Sequence, residues 1–521
     1  MALLSPLGLP KQLQTEAISL SLLILLFLVS LVLLLKLSRR GKLKLPPSPP
    51  KLPIIGNLHQ LLGTLPHRAL KILSQHYGPL MFVYFGHSPT LVVSSVDMAT
   101  ELFKAHEIVI SNRPKTTAAK IFVYDCRDVA FSPYGEYWRQ IRKISVLELL
   151  SMRRVQSFQH VRDEEVSCLI NKIRCSCSDR SSVNLSEMLL AISNNIVSRC
   201  VLGRKVEEEN GTTKFGELSR RLMVQFTAFC FGDIFPSLGW LDVLTGFTGR
   251  LNATARALDA MLDQVIEEHR ISESSDNDRK DFVDILLQLQ KDGMLGTGLT
   301  QDNLKAILLD MFVGGTDTTA TALEWTITEL IRNPRVMKRA QEEVRSVVRA
   351  GKLNIETNDL VHMDYLKCVI KEALRLHPPL PLLLPRETSE SVKWRGYDIP
   401  AKTRVFVNAW AIQRDPEIWD RPEEFLPERF VNNPFDCKGQ DFQFIPFGAG
   451  RRGCPGMSFA LVTLEYVIAN LLYWFDWKLP DAAARARGEF EEVIDLDVSE
   501  GFGLTAYKKF PLHAVPIFYS P

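Results

Sequence analysis

Hydrophobic positions are densest near the start of the chain, where residues 17–35 are apolar with only serines interrupting. At about 1.5 Å per residue a helix over this run spans roughly 28 Å, close to one bilayer core. Residues 78–96 then alternate apolar and polar positions with Gly and Pro between them, which predicts a short hairpin or small sheet. From residue 97 most segments carry helical periodicity, and no internal repeat is found. Residues 272–280 are polar and charged, a solvated loop between helices. The longest helical stretch is 300–333, with Thr300 as N-cap and Pro334 closing it. Strand patterns return at 392–399 and 403–409, and an apolar helix is predicted from Met457 to Leu472. The pattern predicts a mostly helical domain with small peripheral sheets.

Charge changes the reading of the first segment. Lys36, Arg39, Arg40, Lys42 and Lys44 follow the apolar run, whereas only Lys11 is basic before it. A cleaved signal peptide has a shorter apolar region and the opposite charge order, so the run predicts an anchor whose following chain stays in the cytosol. Pro46, Pro47, Pro49, Pro50 and Pro53 then make a stiff spacer. The expected organisation is an N-terminal transmembrane anchor over 1–36, a basic and proline-rich hinge over 37–56, and one catalytic domain over 57–521. Sequons at Asn184, Asn210 and Asn252 would then face the cytosol and stay unmodified. A net charge of +2 gives no reason to invoke nucleic acid. Nine scattered cysteines form no disulfide framework and fit a reducing compartment.

Candidate chemistry concentrates in the stretch Pro446, Phe447, Gly448, Ala449, Gly450, Arg451, Arg452, Gly453, Cys454, Pro455, Gly456, just before the apolar helix. A helix N-terminus favours thiolate over thiol, and a glycine-rich loop lets that sulfur approach a flat macrocycle closely. The same stretch spells Gly448-x-Gly450-x-x-Gly453, a dinucleotide fingerprint, and Asp476 lies near the distance where an acid would be needed. Bracketing prolines, two arginines and a cysteine argue against that use. Phe447, Gly450, Arg452, Cys454 and Gly456 match every fixed position of F-x-x-G-x-R-x-C-x-G, and here the sequence resembles the haem-binding loop of the cytochromes P450.

The resemblance extends along the chain. Trp138 and Arg142 stand four apart on one helical face, a weak signal alone, but W-x-x-x-R is the family's propionate-binding element. Arg386 and Arg452 are further propionate partners by the same resemblance. Gly314, Gly315, Thr316, Asp317, Thr318 and Thr319 interrupt the long helix with residues that are locally unfavourable and invite a distorted turn. They resemble the oxygen-activating motif, in which Thr318 would orient the bound oxygen and its water and Asp317 would connect to the proton supply. Glu372 and Arg375, with Arg429 of a P-E-R-F stretch, resemble the buried Glu-Arg-Arg cluster, a structural device.

The resemblance implies a helix-rich triangular prism with small sheets, holding haem b with Cys454 as axial iron ligand. It implies a monooxygenase of the plant microsomal type, seventy-one clan, placing one oxygen atom of O2 into a small hydrophobic specialised metabolite (terpenoid, alkaloid or phenylpropanoid). No flavin or nicotinamide domain is read here, so electrons would come from an NADPH–cytochrome P450 reductase, with cytochrome b5 as a second donor, at the endoplasmic reticulum membrane. Arg139, Lys143 and Arg451 are candidates for the docking face. By analogy the substrate would meet Phe122, Tyr124, Leu309, Phe312, Val313, Leu382 and Phe502, an apolar set without a counter-charge. Two competing classes are a haem-thiolate isomerase or lyase working on hydroperoxides without reductase, and a non-catalytic membrane haem protein. The regular Asp317–Thr318 pair counts against both.

Overall fold

The computed structural model describes Ser21, Ile24, Phe27 and residues 43–520, apart from 179–180, 206, 209–210, 213, 273–279, 294–297, 349–354, 434 and 481–495. The expected membrane span therefore lies, but for those three residues, outside the described part. Two units are distinguished. The smaller comprises residues 1–46 with Ser391–Ile399. In it Val392–Trp394 and Tyr397–Ile399 pair antiparallel, and Asp398 donates its N–H to the Lys44 carbonyl at 2.7 Å.

The larger unit, Pro47–Glu390 with Pro400–Pro521, carries everything that follows. Its helices used below are α1 (Pro66–Tyr77), α2 (Thr117–Phe122), α3 (Glu136–Ile144), α4 (Leu185–Leu202), α5 (Lys214–Phe226), α6 (Phe247–Ser272), α7 (Phe282–Lys291), α8 (Gln301–Arg332), α9 (Asp364–Leu376) and α10 (Met457–Trp474). Its main sheet is built from β1 (Leu80–Phe85), β2 (Ser88–Val93), β3 (Arg386–Glu387) and β4 (Arg404–Val407), in the order β1-β2-β4-β3. The β1–β2 hairpin falls where alternation predicted it, with Leu80 opposite Val93 and Phe85 opposite Ser88. A further hairpin joins β5 (Glu500–Phe502) to β6 (Ala506–Lys508).

α8 begins in a capping box, Thr300 accepting the Asn303 N–H and Asn303 reaching back to the Thr300 N–H. It ends at Asn333, because Pro334 opens the next helix. Twenty-two of its residues are buried, so α8 runs through the core rather than over it. α10 is the one described helix long and apolar enough to cross a membrane by itself, yet Val467, Ile468, Leu471 and Leu472 are fully buried. Its hydrophobicity serves the core. α4 lies directly against α8: a Cβ on Gly315 would sit 3.1 Å from Val197 Cγ1, so glycine permits that approach.

Candidate active site

Three backbone turns shape the loop before α10. The Gly448 N–H donates to Ile445 at 3.0 Å, the Gly453 N–H to Gly450 at 2.9 Å, and the Cys454 N–H to Phe447 at 2.9 Å. Gly448 and Gly450 hold φ of 69° and 66°, the left-handed region. Gly450 is required for a second reason: a Cβ there would lie 2.0 Å from Glu107 Oε1. Glu107 accepts the Arg451 N–H and faces the Arg451 guanidinium at 3.3 Å, bracing the loop from outside. Gly456 is the N-cap of α10, so Cys454 stands two residues before that cap.

Cys454 has accessible surface, and that surface faces a cavity of about 1730 Å³, open solvent at its wide mouth included. Burial pushes the Cys454 thiol up, while the Gly456 N–H and the charge on Arg142 pull it down. Burial is the largest of these, so the helix start does not by itself deliver the expected thiolate. Coordination to a metal cation does, since it deprotonates a thiol outright.

Four guanidinium groups line the cavity, those of Arg113, Arg142, Arg386 and Arg452. Arg142 donates to the Gly453 carbonyl, and Arg386 to that of Ala449 at 2.7 Å. Arg386 Nη1 is buried and has no hydrogen-bond partner among the described residues. Arg452 is held by the carbonyls of Ser111 (2.8 Å), Val129 (3.1 Å) and Ser132. Burial lowers Arg386 to about 10 and Arg452 to about 9, with Arg386 further depressing Arg452 by repulsion. Trp138 is placed differently from expectation. Its indole N–H is taken by the Val129 carbonyl at 3.0 Å, its ring lies 4.1 Å from the Arg452 guanidinium, and it does not line the cavity. It supports an arginine instead of reaching a ligand.

Opposite the loop, α8 presents a stripe at four-residue spacing, Asp310, Gly314, Thr318 and Ala322, flanked by Met311, Gly315 and Thr319. The expected distortion is not seen, since residues 301–332 are helical throughout. Thr318 instead donates its hydroxyl to the Gly314 carbonyl at 2.7 Å, satisfying it within the helix. Gly314 has nothing within 4 Å of a would-be Cβ, so it keeps the helix face open to the cavity. Asp317 lies off the stripe, and burial raises its carboxyl.

The expected substrate residues divide. Val313 lines the cavity. Leu309 and Phe312 fall outside the stripe and pack in the core. Phe122 sits one layer back, stacked on the lining residue Phe226 at 5.9 Å. Tyr124 turns outward, its hydroxyl donating to Asp259 at 2.6 Å. Leu382 packs on the satellite core of Leu70 and Met81, leaving Leu380, Leu383 and Leu384 on the wall. Phe502 is 57% exposed on β5, and Leu504 in the turn beyond it reaches the cavity. The wall also has the counter-charge not foreseen from sequence: Asp310, which accepts the N–H groups of Val129 and Ala130 at 3.0 Å each. Arg113 was missed too. It donates to Ala130 (3.0 Å), Leu384 (2.7 Å) and Pro385 (2.8 Å).

Beneath the site, Glu372 and Arg375 are fully buried on α9 and joined by two hydrogen bonds of 2.8 and 2.9 Å. Arg429 donates to the same carboxylate at 2.9 Å, and the Leu426 N–H at 2.8 Å. On the outer face Arg139 pairs with Glu136 and Arg451 with Glu107, while Lys143 is exposed.

These residues fit a haem. One thiol faces the cavity from a loop whose glycines leave room beside it: a Cβ on Gly456 would approach only the Cys454 sulfur, at 3.9 Å. Guanidinium groups, one with an orphaned nitrogen, supply the partners for carboxylates at the cavity edge. A cavity bordered both by a thiol that would hold the iron and by an open helix face is what a haem-thiolate oxygenase needs. Comparison with known proteins agrees: the family profile described as Cytochrome P450 matches residues 46–492, and the chain belongs to that family. It is 54% identical over 487 residues to a phenylacetaldehyde oxime monooxygenase of Prunus mume, covering 93% of this chain and 91% of the relative. It is also 54% identical over 465 residues to cytochrome P450 71A1 of Persea americana (88% and 91% covered), and 47% identical over 470 residues to a strychnine-11-hydroxylase of Strychnos nux-vomica (90% of each). A solved zebrafish cytochrome P450 with progesterone superposes with a TM-score of 0.73 at 26% identity, over 87% of this chain and 99% of that one. The protein is thus a plant-type cytochrome P450 monooxygenase of the seventy-one clan, its cofactor is haem b, and it needs O2 and a redox partner.

Proposed function

We propose that this chain places one oxygen atom into a small hydrophobic plant specialised metabolite, drawing electrons from a membrane-bound NADPH–cytochrome P450 reductase, with cytochrome b5 as an auxiliary donor. The observation that carries the reading is one cavity bordered by Cys454, by four arginines and by the Thr318 face of α8. Bound haem supplies the activation of O2. Cys454 would hold the iron, and Arg142, Arg386 and Arg452 the propionates, with Phe447, Gly450 and Gly456 shaping the loop and Trp138 backing Arg452.

Thr318 keeps its hydroxyl proton on the Gly314 carbonyl, which leaves its oxygen lone pairs able to accept from a water in the cavity. Asp317, raised by burial and next to Thr318 in the same turn, is suited to hold and pass a proton. Walls of Val129, Phe131, Val197, Val201, Leu380 and Leu384 keep bulk water away from that exchange. An oxime and strychnine figure in the names of two relatives, which supports a small specialised metabolite without choosing its class. The apolar run at 17–35 with the basic cluster after it supports an anchor in the endoplasmic reticulum membrane and a cytosolic catalytic domain.

The test uses microsomes carrying the full chain beside a plant reductase, given a mixed panel of hydrophobic metabolites with and without NADPH. A product heavier by one oxygen, formed only with NADPH, is the expected result. Conversion of hydroperoxides without NADPH would replace this reading with the rearranging class.

A further inference from the structure

The Val129–Ala130 segment is gripped from two sides. From α8, Asp310 Oδ2 accepts the N–H groups of Val129 and Ala130, at 3.0 Å each. From the other side, the Val129 carbonyl takes the Trp138 indole at 3.0 Å and Arg452 Nη1 at 3.1 Å, and the Ala130 carbonyl takes Arg113 Nε at 3.0 Å. The amide joining the two residues thus has its oxygen on a cation and its N–H on a carboxylate. Each bond polarises the other, so the chain of contacts is stiffer than its parts. Arg113 and Arg452 reach the cavity from opposite ends of this short segment, and both orientations depend on where it stands.

Charge points the same way. Three buried guanidinium groups and the half-buried one of Arg142 line the cavity, and haem b brings two carboxylates. Asp310 is the one carboxylate among the described lining residues; burial raises it to about 6, and its charge adds to that of Asp128 in favouring the charged form of Arg452 and to that of Cys454 in favouring Arg142. We propose that Asp310 is a positioning residue for the haem: through the Val129–Ala130 amide it sets the stance of Arg113 and Arg452, and its charge offsets part of the surplus positive charge at the wall. Asp310 acts through these groups and is not itself a ligand of iron or substrate. This rests on the cavity being the haem pocket.

The experiment compares wild type, Asp310→Ala, Asp310→Asn and Arg386→Ala as full-length holoprotein in detergent. Two quantities are read: the rate of haem transfer to excess apomyoglobin and the reduction potential of the iron. D310A is expected to lose haem about 10-fold faster, the scale seen for outer-shell partners of metal sites. D310N keeps an oxygen for the two N–H groups, so it should recover most of the retention, while loss of the negative charge moves the potential positive. If D310A yields no holoprotein, D310N decides, and an unchanged potential there overturns the proposal. Unchanged haem loss in D310A beside faster loss in R386A also overturns it, leaving the pocket assignment intact. No change in either variant would overturn the pocket assignment with it.

Discussion

Arg386 donates to the carbonyl of Ala449 at 2.7 Å, tying strand β3 to the Cys454 loop across the wall of the cavity, and leaves its Nη1 without a partner among the described residues. Arg386→Ala should remove both the tie and the orphaned donor. Haem content per polypeptide should fall several-fold, read from the reduced carbon-monoxide spectrum, and Arg386→Lys should recover only part, because an ammonium cannot hold the carbonyl and a carboxylate in one fork. Full haem content in R386A would contradict the role given to it.

The Glu372 carboxylate is fully buried and serves Arg375, Arg429 and the Leu426 N–H. Truncating one partner of such a set leaves uncompensated buried charge, at about 3–5 kcal/mol. Glu372→Ala should therefore lower yield and midpoint of thermal inactivation far more than it changes turnover per haem. Equal stability with lost turnover would make Glu372 catalytic instead.

Gly314 and Gly315 are neighbours with opposite reasons to be glycine. A methyl at 314 meets open cavity, so Gly314→Ala should keep or raise stability, by up to about 1 kcal/mol from helix propensity, while displacing bound ligand. Gly315→Val overpacks against Val197 and should destabilise by about 1–3 kcal/mol, with Val197→Ala restoring most of the loss. Denaturation of the two singles and the double variant decides.

His269 on α6 pairs with Asp281, the N-cap of α7, at 2.8 Å, and this hydrogen bond raises its imidazole to about 9. The raised value means that the folded state binds the proton more tightly. The stabilisation is complete below about pH 6.5 and disappears as pH rises through 9, an effect of at most about 3 kcal/mol. His269→Gln should flatten the loss of stability across that window; an unchanged pH profile would show that the pair contributes nothing.

Of the three cations expected to meet the reductase, Arg139 and Arg451 already have carboxylate partners, and reversing Arg451 would also disturb the Cys454 loop through Glu107. Lys143 is the clean probe. Lys143→Glu should slow reductase-dependent turnover several-fold at low salt, less at high salt, with substrate binding spectra unchanged. Identical rates would remove this face from consideration.

Much of the site was legible because its residues lie at fixed short spacings: the Cys454 loop, the Thr318 turn, and the Glu372–Arg375 pair. The mostly helical fold with a hairpin at β1–β2 was legible from periodicity for the same reason. Asp310 and Arg113 were not, because their partners are backbone groups at 129–130 and 384–385, and no local pattern marks such a bond. The only signal for Asp310 was its place four and eight residues before Gly314 and Thr318. Pocket residues were misplaced where backbone geometry breaks the local rhythm. Leu383 adopts φ 53°, and there Leu383 and Leu384 line the wall while Leu382 packs behind. Trp138 was read as reaching a ligand because its spacing from Arg142 says which face it shares, not which carbonyl takes its N–H.

The crowding of arginines at one wall has a consequence for the life of the protein in a cell. A polypeptide that buries several like charges, two of them titrating near 9 and 10, gains stability from whatever anion settles among them. Folding and cofactor loading are then one linked equilibrium, and the amount of this enzyme that survives quality control should rise and fall with the supply of haem, independently of how much message is made.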